Sequence, residues 1–253
     1  MTSSYVTAVL CGFALVVACY ARVTKNENRG ANALQTNGFV RTPRDCQDHW
    51  DNGERVAGVF TIFPNGTYPV KVLCQHNETA TSTVIQRRYN GKENFNRPWN
   101  DYKMGFGSPQ ADYWIGLDTI HHLTWQGGNS LQLHLQEWGG SSAVMTYSDF
   151  QVSDESTRYR VYVSGAYGAL SDDLGYNNGM VFSTYDRPDA YNCAINQNAG
   201  WWFNYCTYTS PNGKYYRGRY RLNPRGFYDG IYYKDWLGYD YSMQHTAMVL
   251  VRK

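Results

Sequence analysis

The chain has 253 residues and a net charge of +2, and 16% of its residues are aromatic, including 23 tyrosines. A chain of this length can bury a substantial core. Its small charge, without a run of Lys or Arg, argues against nucleic acid as a partner. The 24 glycines and many tyrosines favour a compact, loop-rich, largely β protein whose surface suits recognition.

The chain opens with an apolar segment. Residues 6–21 are almost wholly apolar and end in Ala18–Ala21, with small residues placed for cleavage, which is typical of a signal peptide. About 16 apolar residues are short for a membrane span. We therefore predict a signal peptide over 1–21 and no membrane span, with an uncleaved anchor as the alternative. Residues 22–44 are polar, without a heptad or Gly-X-Y repeat, and are predicted to be a flexible leader to a domain over 45–253.

Strand and helix signals follow after the leader. Apolar and alternating runs predict strands, and a Pro-Asn-Gly-Thr sequence predicts a tight turn between the first two. Two aromatic segments predict helices, the first closed by glycine. The strands are predicted at 56–63, 68–74, 83–88, 131–136, 143–147, 159–163 and 243–251, and the helices at 99–107 and 113–124. Beyond Gly165 the chain is rich in Gly, Asn and Tyr, and such long irregular segments are usually functional.

Four cysteines lie outside the predicted signal peptide. They allow three pairings. Pairing each cysteine with its neighbour in the sequence closes the shorter loops. A disulfide that closes the smaller of these loops would stabilise the fold by about 3 kcal/mol in the chain-entropy model. Disulfides would indicate an oxidising compartment. A zinc site is the alternative, although the spacings do not match paired C-x-x-C motifs. The four are Cys46, Cys74, Cys193 and Cys206.

Two sequons predict N-glycosylation of a secreted chain. They are Asn65-Gly66-Thr67 and Asn77-Glu78-Thr79, so the candidate sites are Asn65 and Asn77. Both would lie on the surface. The Asn-Gly pair of the first also suits a hairpin turn, which is the alternative explanation for that sequence.

Many short motifs recur in a fixed order along the chain, from Asp45 to its end. They are Arg44–Cys46, Gly58–Ile62, Thr83–Arg88, Trp99–Gly107, Tyr113–Gly116, Tyr147–Phe150, Asn178–Thr184, Gly200–Trp202, Asp229–Ile231, Trp236 and Gly238–Ser242. Together they resemble the fibrinogen C-terminal domain family, which includes ficolins, tenascins, angiopoietins and tachylectin-type lectins. One departure is Thr79–Ser82, which stands where the family usually has a Gly-Gly-Gly-Trp-like run.

The resemblance implies an α+β fold. Its expected parts are a small N-terminal subdomain, a central antiparallel sheet with helices, and an irregular C-terminal subdomain that binds ligand. It also implies the disulfides Cys46–Cys74 and Cys193–Cys206. Family members bind ligands, often acetylated sugars, and need no redox cofactor.

A calcium site is a further implication of the resemblance. Family members often hold one Ca²⁺ ion with two aspartates in an Asp-x-Asp pattern and with backbone carbonyls, and calcium prefers six to eight oxygens. Asp186 matches the first ligand, whereas Pro188 occupies the second place and Asp189 follows it. Asp186 and Asp189 are therefore the candidate Ca²⁺ ligands. The alternative is a turn with a solvated contact between Arg187 and a carboxylate.

The resemblance also locates a ligand pocket beside the second cysteine of the last disulfide. A non-proline cis peptide bond is expected at Tyr205–Cys206. Thr207 replaces the usual His, and Phe227 stands where a Tyr often forms a wall. The candidate ligand-binding residues are Gln197, Tyr205, Thr207, Phe227 and Tyr228. The indoles of Trp201 and Trp202 are interpreted as core.

The sequence therefore predicts a secreted fibrinogen-related, lectin-like protein that binds surface glycans or acetylated groups, of the kind used in innate immunity. The alternative is a protein-binding adhesion, matrix or signalling module. No enzyme is expected, because no histidine lies in a catalytic motif and the adjacent Asp172 and Asp173 are better explained as a solvated loop than as a catalytic carboxylate pair. A homo-oligomer is one route to the multivalency that weak lectin domains need; action as a single domain is the alternative.

Overall fold

The computed structural model describes residues 42–76 and 80–253. The predicted signal peptide, all but the end of the predicted leader, and the sequon residue Asn77 lie outside the described residues. The strands are β1 (Gly58–Ile62), β2 (Val70–His76), β3 (Thr81–Arg88), β4 (Phe106–Gly107), β5 (Tyr113–Trp114), β6 (Asn129–Gln136), β7 (Ser142–Val152), β8 (Val161–Gly168), β9 (Gly218–Arg219), β10 (Tyr241–Ser242) and β11 (His245–Arg252). The helices are α1 (Cys46–Asp51), α2 (Trp99–Met104), α3 (Leu117–Trp125), α4 (Cys193–Asn196) and α5 (Lys234–Leu237).

The central sheet is antiparallel, and its C-terminal strand, β11, lies between β3 and β6. Its order is β1-β2-β3-β11-β6-β7-β8, with β5 also paired to β3 and β4 to β5. Met248 of β11 lies opposite Gln86 of β3 and Leu133 of β6. Strands β9 and β10 form a separate small pair. The predicted α+β fold with a central antiparallel sheet is confirmed.

Strand β6 shows the physical basis of the strand predictions. Successive residues of a strand face opposite sides of the sheet, and β6 buries every second residue, including Leu131, Leu133 and Leu135. The intervening side chains are half-buried. The alternation read from this segment therefore corresponds to a sheet with one face against the core.

Two helix predictions extended too far, because glycines end the helical backbone. Helix α2 stops at Met104, since Gly105 adopts a φ of +95° and a Cβ there would lie 2.6 Å from the carbonyl oxygen of Ile115. The segment predicted as a helix from 113 begins instead as strand β5, and Gly116, with a φ of +103°, separates it from α3. Short β-strand pairing with β3 therefore overrides the local helical pattern.

An aromatic core connects the sheet to the irregular C-terminal part. Trp201 and Trp202 are fully buried, which confirms their interpretation as core residues. The indole of Trp202 lies 5.1 Å from the ring of Phe182, and its Nε1–H donates to the carbonyl oxygen of Tyr159 at 2.7 Å. Tyr102, also fully buried, donates its hydroxyl to the carbonyl of Phe95. The C-terminal irregular backbone is thus fixed by large buried rings.

The small N-terminal part is closed by the Cys46–Cys74 disulfide between α1 and β2. In the hairpin between β1 and β2, Oδ1 of the exposed Asn65 accepts the N–H groups of Thr67 at 3.0 Å and Tyr68 at 3.1 Å. The turn interpretation of this sequon therefore holds, and its glycosylation stays a prediction. Within the described ranges no helix is long and apolar enough to span a membrane.

Candidate functional site

The Cys193–Cys206 disulfide and the chain beside it form the frame of the candidate ligand site. The two cysteines are 13 residues apart in the sequence, and the segment that the disulfide closes begins with helix α4. The peptide bond Tyr205–Cys206 is cis, as the family resemblance implies. The two disulfides, Cys46–Cys74 and Cys193–Cys206, are those that the family resemblance implies.

Two of the predicted ligand residues are turned into the protein. Thr207 is 4% exposed, and its hydroxyl lies 2.9 Å from Oδ1 of Asn177 and 2.8 Å from the carbonyl oxygen of Thr209. Gln197 is 5% exposed, and its Oε1 accepts the hydroxyl hydrogen of Tyr232 at 2.9 Å. Because buried polar groups are normally satisfied internally, these contacts hold the frame and leave little polar surface for a ligand.

The neighbouring surface is formed instead by tyrosines. Tyr205 is 73% exposed, and its ring meets that of the exposed Tyr191 edge-on at 4.9 Å. Tyr176 and Tyr208 stack at 4.0 Å with nearly parallel rings. Asn204, next to Tyr205, donates its amide to the carbonyl oxygen of Tyr176 at 2.8 Å, which joins the two pairs. We call Tyr176, Tyr191, Tyr205 and Tyr208 the tyrosine face.

A cation and further aromatic rings border the tyrosine face. The ammonium of Lys234, at the start of α5, lies 4.2 Å from the ring centre of Tyr208, a cation–π contact. Burial raises the pKa of Tyr239, and the nearby Lys234 ammonium opposes that rise. The predicted residue Tyr228 lies parallel to Tyr239 at 6.2 Å. It therefore adjoins this surface through Tyr239.

Phe227 lies in a turn that Asn223 closes. Oδ1 of Asn223 accepts the N–H of Phe227 at 3.1 Å, and the N–H of Asn223 donates to the carbonyl oxygen of Phe227 at 2.8 Å. The ring is half-buried. Phe227 and Tyr205 were predicted from the sequence. The residues that were missed are Tyr176, Tyr191, Tyr208 and Lys234. The high tyrosine content of the irregular C-terminal part was the signal for the three tyrosines, and no sequence signal indicated Lys234.

The two candidate calcium ligands are occupied by donors of the protein. Oδ1 of Asp186 accepts the N–H of Trp99 at 2.9 Å and the hydroxyl hydrogen of Thr184 at 2.7 Å. Asp189 accepts backbone N–H groups at both oxygens, including Cys193 and Ala194 at 3.0 Å each. These N–H groups open helix α4, so Asp189 satisfies donors that a helix start leaves without partners.

The backbone carbonyls of the same loop face a guanidinium. Nη2 of Arg158 lies 3.1 Å from the carbonyl oxygen of Arg187 and 3.4 Å from that of Pro188. Arg187 itself pairs with Glu155 at 3.5 Å and lies over the indole of Trp99. In the part of the chain that the structure describes, no group of three or more His, Cys, Asp or Glu side chains could hold a metal. Oδ1 of Asp186 and both oxygens of Asp189 thus accept donors of the protein in this arrangement, which disfavours a Ca²⁺ ion held by these two residues.

We accordingly expect Ca²⁺ to leave the stability of the protein unchanged. A ligand that binds only the folded state raises the melting temperature, so melts in millimolar Ca²⁺ and in EDTA should agree to within about 1 °C. Mg²⁺ at the same concentration is the control for ionic strength. A rise of several degrees that is specific to Ca²⁺ and absent in Asp189→Asn would contradict this expectation.

The prediction of a solvated loop at Asp172 and Asp173 was wrong for the second residue. Asp172 is exposed and its Oδ1 accepts the N–H of Gly175 at 2.8 Å. Asp173 is 1% exposed, and its Oδ2 accepts the N–H of Asp235 at 2.9 Å. Burial raises the pKa of Asp173 to about 7. Its carboxylate is thus a structural acceptor that packs α5 against the preceding loop.

This buried carboxyl predicts a pH dependence of stability. The pKa of Asp173 is about 7 in the folded state, against an ordinary value of 3.8. Between these two pH values the folded state keeps a proton that the unfolded state has lost. The free energy of unfolding therefore falls as the pH rises from about 4 to about 7. The slope approaches about 1.4 kcal/mol per pH unit for one proton. Asp173→Asn keeps the acceptor and should remove this component.

Urea unfolding from about pH 4 to pH 8 measures the effect. Asp173→Asn should exceed the wild type in stability at the upper end and match it at the lower end, whereas the exposed Asp172→Asn should follow the wild type throughout. An Asp173→Asn variant that is less stable than wild type at the upper end would refute the expectation.

This fold, with its disulfide-bounded aromatic segment, defines a fibrinogen-type globular domain. Residues 42–253 match the family described as the C-terminal globular domain of fibrinogen beta and gamma chains, and the chain belongs to that family. Its relatives in this family are non-enzymatic, and they are consistent with a recognition or adhesion module.

Curated proteins similar to this chain differ in how much of their length it spans. Angiopoietin-related protein 6 of Homo sapiens is 36% identical over 212 residues, which cover 82% of this chain and 44% of that protein. Microfibril-associated glycoprotein 4 of Bos taurus is 36% identical over 224 residues, which cover 84% of this chain and 86% of that protein. The chain thus spans less than half of the first relative and most of the second.

Solved structures of related proteins have the same fold. The fibrinogen-like globe domain of human ANGPTL2 matches with a TM-score of 0.79 at 33% identity, covering 83% of this chain and 99% of that one. Lamprey fibrin D-dimer, solved with the peptide Gly-His-Arg-Pro-amide, matches with a TM-score of 0.80 at 29% identity, covering 93% of this chain and 81% of that one.

Proposed function

We propose that this chain is a secreted recognition module that binds an exposed segment of another protein on its tyrosine face. The observation that carries the proposal is the exposure of Tyr205, at 73%, beside the disulfide frame. Tyrosine provides contact area and a hydroxyl at low conformational cost, and it is enriched where proteins bind each other. The paired disulfides, which form in oxidising compartments, support secretion.

The burial of Gln197 and Thr207 favours a protein ligand over an acetylated sugar. A small acetyl group needs directional polar contacts in a concave site. Here the side chains at the corresponding places have internal partners in Tyr232, Asn177 and Thr209. A broad aromatic surface suits an extended contact instead. The related lamprey fibrin D-dimer, solved with a bound peptide, supports the same class of ligand.

A surface glycan is the second candidate ligand. Tyr191 and Tyr205 are 58% and 73% exposed and meet edge-on, so at least one ring face is open to a sugar. Such binding would be weak for a single domain and would gain strength from multivalency. Self-association of the chain is the corresponding proposal for its assembly.

Parallel peptide and glycan arrays test the proposal. The peptide array includes Gly-His-Arg-Pro-amide, and the glycan array includes acetylated sugars. Tyr205→Ala should weaken peptide binding by about tenfold or more, as expected for a central aromatic contact. The control Tyr68→Ala, in the hairpin between β1 and β2, removes a ring of similar exposure, 69%, and should bind as wild type.

The outcomes of the two arrays are distinct. Peptide binding that Tyr205→Ala weakens supports the proposed ligand class and its place. A blank peptide array together with glycan binding that is sensitive to Tyr205→Ala would replace the protein ligand by the glycan. Binding of either kind that Tyr205→Ala leaves unchanged would overturn the proposed face.

A further inference from the structure

A polar cavity of about 440 Å³ lies between two loops, away from the residues that form the tyrosine face. Its volume lies in the range of pockets for small ligands. One loop spans 91–96, after strand β3, and the other spans 213–215. The side chains that matter for its chemistry are Arg88, Lys92, Asn94, Asn96, Lys214 and Tyr215.

A buried guanidinium lines this cavity. Arg88 is 1% exposed, and its Nη1 donates to the carbonyl oxygens of Pro211, at 3.3 Å, and Gly213. Its Nε has no hydrogen-bond partner in the described part of the chain. The nearest carboxylate oxygen, Oδ1 of Asp112, is 3.9 Å from that Nε and already accepts the N–H of Tyr89 at 2.6 Å.

The charge of Arg88 is thus only partly compensated. Burial lowers the pKa of Arg88 to about 10, so the guanidinium stays protonated at neutral pH. A buried cation without a close, well-aligned partner is costly, and an anion in the cavity would reduce that cost. The position therefore favours a negatively charged ligand group.

The rim adds two more cations. Lys92 and Lys214 are both exposed, and neither has a carboxylate within 4.0 Å among residues 42–76 and 80–253. The acidic residue at the rim, Glu93, is engaged by Arg97 in an ion pair. The cavity therefore carries an uncompensated positive charge, although the whole chain has a net charge of only +2.

The remaining walls suit the neutral parts of a sugar. Oδ1 of Asn94 accepts the N–H of Asn96 at 2.9 Å, which leaves the amide hydrogens of Asn94 to donate elsewhere. The ring of Tyr215 supplies apolar surface, whereas the ring of Phe95, 3% exposed and 4.0 Å under Arg88, supports the guanidinium from below. Amides and aromatic rings together bind hydroxyls and the apolar faces of sugar rings.

We propose that this cavity binds an acidic saccharide, with its carboxylate or sulfate near Arg88 between Lys92 and Lys214. The sugar ring lies against Tyr215 and the two asparagines. This site is separate from the tyrosine face and does not depend on what that face binds.

Calorimetry on the full chain with three probes tests the proposal: a sulfated disaccharide from heparin, its desulfated, uronate-bearing form, and a neutral N-acetylglucosamine disaccharide. At least one acidic disaccharide should bind, more weakly as ionic strength rises, and the neutral one should not. Comparison of the two acidic probes tells sulfate from carboxylate. Lys92→Ala and Lys214→Ala should each lower affinity by about fivefold, the scale of one partly exposed charge contact.

Two controls make the test decisive. Lys71→Ala removes an exposed lysine elsewhere on the chain and should leave affinity unchanged. The double variant Lys92→Ala/Lys214→Ala, compared with Lys71→Ala/Lys253→Ala, tests whether position matters at equal charge. Equal losses in both double variants, equal binding of the neutral disaccharide, or no binding of either acidic disaccharide would overturn the proposal.

Discussion

Asp112→Asn is expected to destabilise the fold by about 3–5 kcal/mol, because it leaves the buried Arg88 cation without its nearest carboxylate, 3.9 Å away, and weakens the hydrogen bonds that a buried charge makes to three backbone N–H groups. Asp112 and Arg88 are 2% and 1% exposed. The carboxylate also accepts the N–H groups of Tyr89 at 2.6 Å, Asn90 at 3.3 Å and Glu93 at 3.2 Å. An amide lacks the charge and offers one acceptor instead of two, so the loop after β3 loses contacts while the Arg88 cation stays buried.

Urea unfolding measures this loss, and a surface pair provides the control. Arg97 and Asp101 form an ion pair at 3.2 Å whose side chains are 37% and 34% exposed. Asp101→Asn should therefore cost less than about 1 kcal/mol. If Asp112→Asn also costs less than about 1 kcal/mol, the buried pair does not stabilise this loop as described.

Replacing both cysteines of the second disulfide by Ser should cost about 3 kcal/mol, because the cross-link closes a loop in the unfolded chain between residues that are 13 apart in the sequence. The same replacement should also abolish ligand binding. Tyr205 adjoins Cys206, and Asp189 supports the start of helix α4 at Cys193, so the exposed rings lose their frame when the disulfide is absent.

The first disulfide is the matched control for this effect. Cys46 and Cys74 are 28 residues apart, so Cys46→Ser/Cys74→Ser should cost slightly more stability, about 3.5 kcal/mol. It should nevertheless keep ligand binding at a temperature where both variants are folded, because it lies in the N-terminal part. Equal binding by the two double variants would mean that the Cys193–Cys206 bond does not organise the ligand face.

The sequence predicted the parts of the fold that depend on local pattern. The alternation of apolar and polar residues identified β6, and a glycine indicated the end of α2. The exact last residue of α2 could be located only from the structure, where Gly105 packs closely against Ile115. The two-residue strand β5 was missed because its conformation comes from pairing with β3, not from its own sequence. Family resemblance supplied the disulfide pairing, which spacing alone had left among three alternatives.

The candidate site was less predictable because its contacts join distant segments. Gln197 meets Tyr232 and Thr207 meets Asn177, 35 and 30 residues apart in the sequence. The guanidinium of Arg158 reaches the carbonyl of Arg187 from 29 residues away. No local pattern reveals that these polar groups are occupied. A residue can therefore stand at a family's ligand position and still face the interior.

The location of a bound ligand tests the central claim most directly. A crystal structure of the chain with the tightest peptide from the array should place that peptide across Tyr205 and Tyr208, beside the Cys193–Cys206 disulfide. Contacts with the Tyr205 ring are the predicted result. A peptide bound elsewhere, with the ring of Tyr205 still open to solvent, would contradict the assignment of the tyrosine face as the recognition surface.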